Sequence, residues 1–171
     1  MKYDLREKGV ASAQNVSDSC LVCGTNNLLS LQAQFLNLDD GSICALFTAL
    51  PEHQGYPGRV HGGIISAVID ETIGRSVQTR YPEVFGVTIE LCVRFRAPVP
   101  VGERLKVIAR LDRHSKRVYE GSAELVLSDG TVAAQGTAKY LRLEPEQIVD
   151  GGLGDINWIP DGRDLPKSIE A

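Results

Sequence analysis

No stretch of this 171-residue chain approaches the about 20 consecutive apolar residues of a membrane-spanning helix, so none is expected. An excess of positive charge is missing too. Lys and Arg number 18 against 22 Asp and Glu, a net charge of −4. Non-specific nucleic-acid binding needs a basic surface and is therefore not expected. Met1 to Gln14 is charged and polar with no apolar segment, so a secretion signal is not evident and the expected location is cytoplasmic. No internal repeat is present. Cysteine is sparse, with Cys20, Cys23, Cys44 and Cys92. Structural disulfides are not expected without secretion. Cys20-Leu-Val-Cys23 has metal-ligand spacing, but a structural zinc site usually draws on two such pairs, and the second is absent. The pair reads as small residues in a turn, as a redox pair, or as half of a metal site shared between subunits. No bound metal and no cofactor are expected.

What is present suffices for one domain. The length is ordinary, and the apolar share of 43% is a little under the usual range of about 45–50%. Residues 1–19 read as an N-terminal arm, residues 20–144 as the folded domain, and residues 145–171 as an irregular tail rich in Gly, Pro and Asp. Strand-like runs occupy Ser30–Leu38 and Ser42–Leu50, joined by the turn composition Asp39-Asp40-Gly41. Pro51–Gly58 is a loop. From Gly62 to Arg80, Ile65, Val68, Ile69, Ile73 and Val77 recur every three or four residues, which predicts a helix ending before Pro82. At Gly86 the period drops to two. Val87, Ile89, Leu91, Val93 and Phe95 alternate with polar or small residues, predicting one long half-buried strand. Strands at Arg104–Leu111, Arg117–Leu127 and Thr131–Leu143 follow, with Asp129-Gly130 as a hairpin turn. Two strands, one helix and four strands make an α+β fold, with one long helix on an antiparallel sheet of about six strands.

The chemistry concentrates in His61-Gly62-Gly63 and the helix that follows. The first amides of a helix lack intrahelical partners and carry the positive end of its dipole. Glycine there lets a ligand approach closely, as an oxyanion hole requires. The same glycines would also allow tight helix packing. Asp70 stands in an apolar helix among small neighbours, Ser66, Ala67 and Gly74. Burying an ionised group is costly unless it is paired or functional, so Asp70 is the candidate carboxylate. Glu71 has Arg75 four residues on, a favourable helix-surface pair. Eight helical steps separate Gly62 from Asp70, about 12 Å. Two groups acting on one carbonyl must lie within about 3–3.5 Å of it, so they are expected to come from two subunits of a dimer.

His61 with an acid nine positions later, the loop from Pro51 to Val60, the strand Gly86-Val87-Thr88-Ile89-Glu90-Leu91 and Cys20-Leu-Val-Cys23-Gly24 together resemble the PaaI-like hotdog-fold acyl-CoA thioesterases, over about residues 20 to 143. The resemblance implies a helix wrapped by a curved antiparallel sheet, a homodimer or a tetramer built as a dimer of dimers, and a site at the dimer interface. It implies that Gly62 supplies the oxyanion amide, Asp70 acts as nucleophile or general base, Thr88 contacts the carboxylate or the water, and His61 shapes the site with Gly63. Many members carry Asn or Gln six residues before the His. Gly55 stands there in this chain, with Gln54 beside it as the replacement. In similar proteins the loop corresponding to Asp112–Arg117 meets the nucleotide end of CoA. Arg113, His114, Lys116 and Arg117 are therefore expected to bind phosphate or to form a solvated turn, and Arg96 either joins them or lies on the exposed strand face. The implied substrate is a small or medium acyl-CoA. The alternatives are a hotdog dehydratase or hydratase, which pairs a His with a carboxylate, and a non-catalytic acyl-CoA sensor, for which the flanks look too short.

Overall fold

The change of period at Gly86 is a change of element. A computed structural model describes residues 1–150 and 158–171. In chain order the elements are β1 (Glu7–Ala13), β2 (Val16–Ser17), β3 (Gln34–Leu38), β4 (Ile43–Thr48), α1 (Gly62–Ser76), β5 (Phe85–Phe95), β6 (Arg104–His114), β7 (Val118–Val126), β8 (Val132–Leu143), α2 (Pro145–Ile148), β9 (Trp158–Ile159) and β10 (Ser168–Glu170). The main sheet is antiparallel throughout, in the order β10-β1-β3-β4-β6-β7-β8-β5, and β2 pairs separately with β9. The predicted hairpins form. At their tips Gly41 and Gly130 take φ of +80° and +81°, which a Cβ would disfavour.

α1 lies against β4, β5, β6, β7 and β8, and the core forms between them. Ile65, Val68, Ile69, Ile73 and Val77 are all buried, as their spacing predicts. The strands opposite carry small residues: Gly121 and Ala123 on β7, Ala134, Gly136 and Ala138 on β8. They let the helix approach. A Cβ on Gly136 would lie 2.4 Å from Ile69 Cγ2, and one on Gly121 2.8 Å from Ile73 Cγ2 and 2.7 Å from the Arg110 carbonyl oxygen.

Three expectations are corrected. The sheet has eight strands rather than about six. The two extra come from the segments read as arm and tail, β1 and β10, which pair mainly through backbone and so leave little side-chain periodicity. With Tyr3, Leu5 and Ile169 these flanks cover the outer side of β3 and β4, burying Leu36, Leu38, Cys44 and Leu46. Ile43–Phe47 is therefore buried on both faces and reads as a continuous apolar run. The helix is shorter than 62–80: regular turns end at Ser76, and Val77–Thr79 tighten into a 3₁₀ turn. Finally, β5 does not alternate along its whole length. A bulge at Ile89 shifts the register between Thr88 and Glu90, so Thr88 shares the helix-facing side with Leu91, Val93 and Phe95.

Close approach at Gly121 yields a stability prediction. Gly121→Ala is expected to lower unfolding free energy by about 1–3 kcal/mol, since the new methyl meets main chain that cannot yield. Chemical denaturation checks this, and a neutral or stabilising effect would contradict the packing account.

Candidate active site on the central helix

Asp70 emerges from α1 half-buried, under two hydroxyls. Thr88 Oγ1 lies 2.9 Å from Oδ1 and 3.1 Å from Oδ2 and donates to the carboxylate. The Tyr140 hydroxyl stands 2.9 Å from Oδ1 and 2.7 Å from the Asp70 carbonyl oxygen, so its one proton serves either acceptor. Each partner has a structural cause. The Ile89 bulge turns Thr88 inward. Gly74, one turn beyond Asp70, leaves room for the Tyr140 ring: a Cβ there would sit 3.1 Å from Tyr140 Cε1. Tyr119 stacks on Tyr140 at 4.8 Å between centroids and donates to the Gly74 carbonyl oxygen at 3.2 Å. Asp70, Gly74, Thr88, Tyr119, Tyr140 and Trp158 are among the residues lining a cavity of about 270 Å³.

Burial pushes the Asp70 carboxyl above its ordinary value, and the negative Glu71 adds to the rise. The hydrogen bonds from Tyr140 and Thr88 oppose it by stabilising the anion. A carboxylate of raised basicity, held by two donors and open to a cavity, is suited to taking a proton or attacking a carbonyl.

His61 caps the helix, its Nδ1 accepting the Gly63 N–H at 2.9 Å. In the neutral ring the proton then resides on Nε2. The Gly62 N–H meets no acceptor among the described residues. Phe95 stands over it, 3.4 Å from where a Cβ would be. Gly62 is not among the residues lining the cavity that holds Asp70.

The other expected residues are scattered. Gln54 accepts the Gly58 N–H at 3.1 Å and braces the loop before the helix. The neighbouring His53 is buried and holds the same loop, between the Leu50 N–H and the Leu29 carbonyl. Arg96 bonds Gln135 at 3.3 Å on the outer side of the sheet, in a separate concavity of about 480 Å³ with Arg94 and Arg110. Arg113 and His114 extend β6 beyond its predicted end, past a bulge at Asp112, and only Ser115-Lys116-Arg117 forms the turn. All four basic residues are exposed, and His114 stacks on Tyr81 at 4.4 Å. The Glu71–Arg75 pair forms at 2.8 Å, yet Arg75 is buried rather than on the surface. Its guanidinium lies between Phe35 and Trp158. Beside it, hydrogen bonding with Cys23 holds the Cys20 thiol down at about 6, against the effect of burial.

Tyr140 and Tyr119 were not anticipated. A signal existed: Tyr140 continues the series Ala134, Gly136, Ala138 that faces the helix, and a hydroxyl ending such a series needs a partner.

Residues 57–134 match the family model of the thioesterase superfamily. The chain has the hotdog fold, and its residues 57–134 are similar to the thioesterase superfamily. The acyl-coenzyme A thioesterase THEM4 of Rattus norvegicus is 30% identical over 116 residues, covering 67% of this chain and 49% of that protein. The 3-hydroxyacyl-[acyl-carrier-protein] dehydratase FabZ of Herpetosiphon aurantiacus is 33% identical over 86 residues, 47% of this chain and 60% of that one. The crystal structure of a thioesterase superfamily protein superposes with a TM-score of 0.65 at 26% identity, over 72% of this chain and 60% of the other. The E. coli PaaI structure superposes at 0.60 with 18% identity, over 66% and 80%. The chain spans about half the length of the THEM4 relatives it matches. No described helix is long and apolar enough to cross a membrane.

The carboxylate's environment is directly measurable. Thr88→Val removes a donor that favours the ionised form, so the Asp70 titration midpoint is expected to rise. Carboxyl-carbon NMR across the acidic range checks this, and an unchanged or lower midpoint would refute the hydrogen-bond assignment.

Proposed function

We propose that this chain hydrolyses the thioester of a small or medium acyl-CoA. The observation that carries the reading is the pairing of Asp70, held by Thr88 and Tyr140 in a cavity, with a Gly62 amide that meets no acceptor among the described residues at the start of the same helix. The Gly62 N–H, backed by the helix dipole, receives the carbonyl oxygen as negative charge develops on it. Asp70 either attacks the carbonyl carbon or takes a proton from the attacking water, and the CoA thiolate leaves. Support also comes from the names of the THEM4 relatives.

The two groups belong to different subunits in this reading. β5 ends the sheet with one edge unpaired among the described residues, and its apolar side chains are open: Ile89 is 56% exposed and Phe95 52%, with Val87 at 36% and Leu91 at 37%. A long apolar edge strand is an aggregation hazard unless paired. Antiparallel pairing of β5 with β5 of a second copy would bring the two helices side by side in opposite directions. Gly62 of one chain would then approach Asp70 of the other. Such dimers pair further in the tetramer form of the proposal.

The FabZ match favours a second reading, proton transfer on the acyl chain by His61 and an acid. His61 Nδ1 is committed to the Gly63 amide, which argues against its use as a base.

Assay against an acyl-CoA panel tests the reading. Asp70→Asn should abolish most turnover without dissociating the dimer, and Gly62→Val should do likewise by blocking the helix amides. Mixing the two dead variants with subunit exchange should restore about a quarter of wild-type activity: about half the dimers are mixed, each with one intact site. No recovery despite confirmed exchange would place both residues in one subunit's site.

The basic segment has its own test. Arg113, Lys116 and Arg117 changed together to Ala should raise KM more than they lower kcat, since remote phosphate contacts hold ground and transition states alike. An unchanged KM would remove these residues from CoA binding.

A further inference from the structure

Glu71 lines the same cavity as Asp70, Thr88 and Tyr140, and it also belongs to a second cluster. Cys20 and Cys23 lie on the turn after β2, and Glu71 follows Asp70 on the helix. One donor atom from each, two sulfurs and a carboxylate oxygen, lie within 4.8 Å of one another. We propose that Cys20, Cys23 and Glu71 bind one thiophilic divalent cation, for which zinc is the best match.

N–H donors face both sulfurs, while the contact with Cys20 and burial push the Cys23 thiol up, and it donates to the Ser17 carbonyl oxygen at 3.8 Å. Cys20 Sγ accepts the N–H groups of Val22 at 3.2 Å and Cys23 at 3.5 Å. Cys23 Sγ accepts the Ser17 N–H at 3.4 Å and faces Arg75 Nη2 at 3.3 Å. Gly24 makes the tight turn possible, for a Cβ on it would lie 2.5 Å from the carbonyl oxygens of Asp18 and Cys20. A turn of small residues needs none of these contacts. A redox pair gains nothing from a neighbouring carboxylate, whose charge opposes a thiolate. A cation among the three groups resolves that repulsion: two thiolates, one carboxylate, the buried Arg75 and a divalent ion are together neutral.

The donor chemistry selects the ion. Thiolate sulfur favours zinc over magnesium or calcium, which take oxygen donors. Arg75 Nε engages Glu71 Oε1 at 2.8 Å, and a carboxylate retains further lone pairs for a metal. Cys23 is buried while Cys20 and Glu71 are partly exposed, so the ion enters from solvent and a water completes its four-coordinate shell. Binding replaces both thiol protons, which pass to solvent. The sequence holds no second cysteine pair to complete a usual zinc site. The third donor comes from the helix, far along the chain, and the ion would tie the segment around residues 17–24 to the turn of α1 that holds Asp70.

The test uses the full chain, purified under reducing conditions without chelator or added metal. Elemental analysis should find about one zinc per chain. After the metal is stripped, cobalt(II) titration should produce a thiolate-to-cobalt charge-transfer absorption. Cys20→Ser and Cys23→Ser should abolish the band, Cys92→Ser should retain it, and Glu71→Gln should weaken cobalt affinity by at least about tenfold. If either serine variant fails to fold, the wild-type titration and Glu71→Gln still decide. The proposal is overturned if reduced wild-type protein gives no band, if the band survives both serine variants, if Glu71→Gln binds cobalt as tightly as wild type, or if the isolated chain holds a Cys20–Cys23 disulfide in place of metal.

Discussion

Everything in this domain depends on how closely one helix approaches the sheet that curves around it. The approach is set by missing atoms. Gly121 and Gly136 on the strands admit Ile73 and Ile69 at distances no side chain would tolerate, and Gly74 on the helix admits the Tyr140 ring. Burial of the apolar stripe drives the contact, but the glycines decide its distance, and that distance places a strand hydroxyl within reach of Asp70.

The same closeness distributes polar groups over two flanks of the helix. Asp70 and Glu71 are adjacent in sequence and about 100° apart around the axis. One side meets Thr88 and Tyr140; the other meets Arg75 and the cysteine turn. Glu71 influences both, since its charge raises the Asp70 carboxyl while its oxygen holds the Arg75 guanidinium. The N-terminal end of the helix remains available because His61 satisfies the Gly63 amide while that of Gly62 meets no acceptor among the described residues.

Edge strands complete the logic. One end of the sheet is the three-residue β10 beside β1, and these flanks cover the outer side of β3 and β4. The other end is the eleven-residue β5, apolar and without a further strand beside it among the described residues. A short edge is a small hazard, whereas a long apolar one calls for a partner strand, which is the basis of the proposed dimer.

Period and punctuation in the sequence determined the helix after His61-Gly62-Gly63, the hairpins at Asp39-Asp40-Gly41 and Asp129-Gly130, and the standing of Asp70 as an acid out of place. These are local properties, written in residues three, four or two apart. Only the tertiary structure decided the rest. The Ile89 bulge turns Thr88 inward, because register depends on the partner strand. Tyr140 reaches Asp70 across 70 residues of sequence, and Arg75 is buried because Phe35 and Trp158 close over it. The flanks became strands because backbone pairing needs a neighbour more than a side-chain pattern. Contacts between distant segments leave no period in the chain, and the distance that makes them is set by packing.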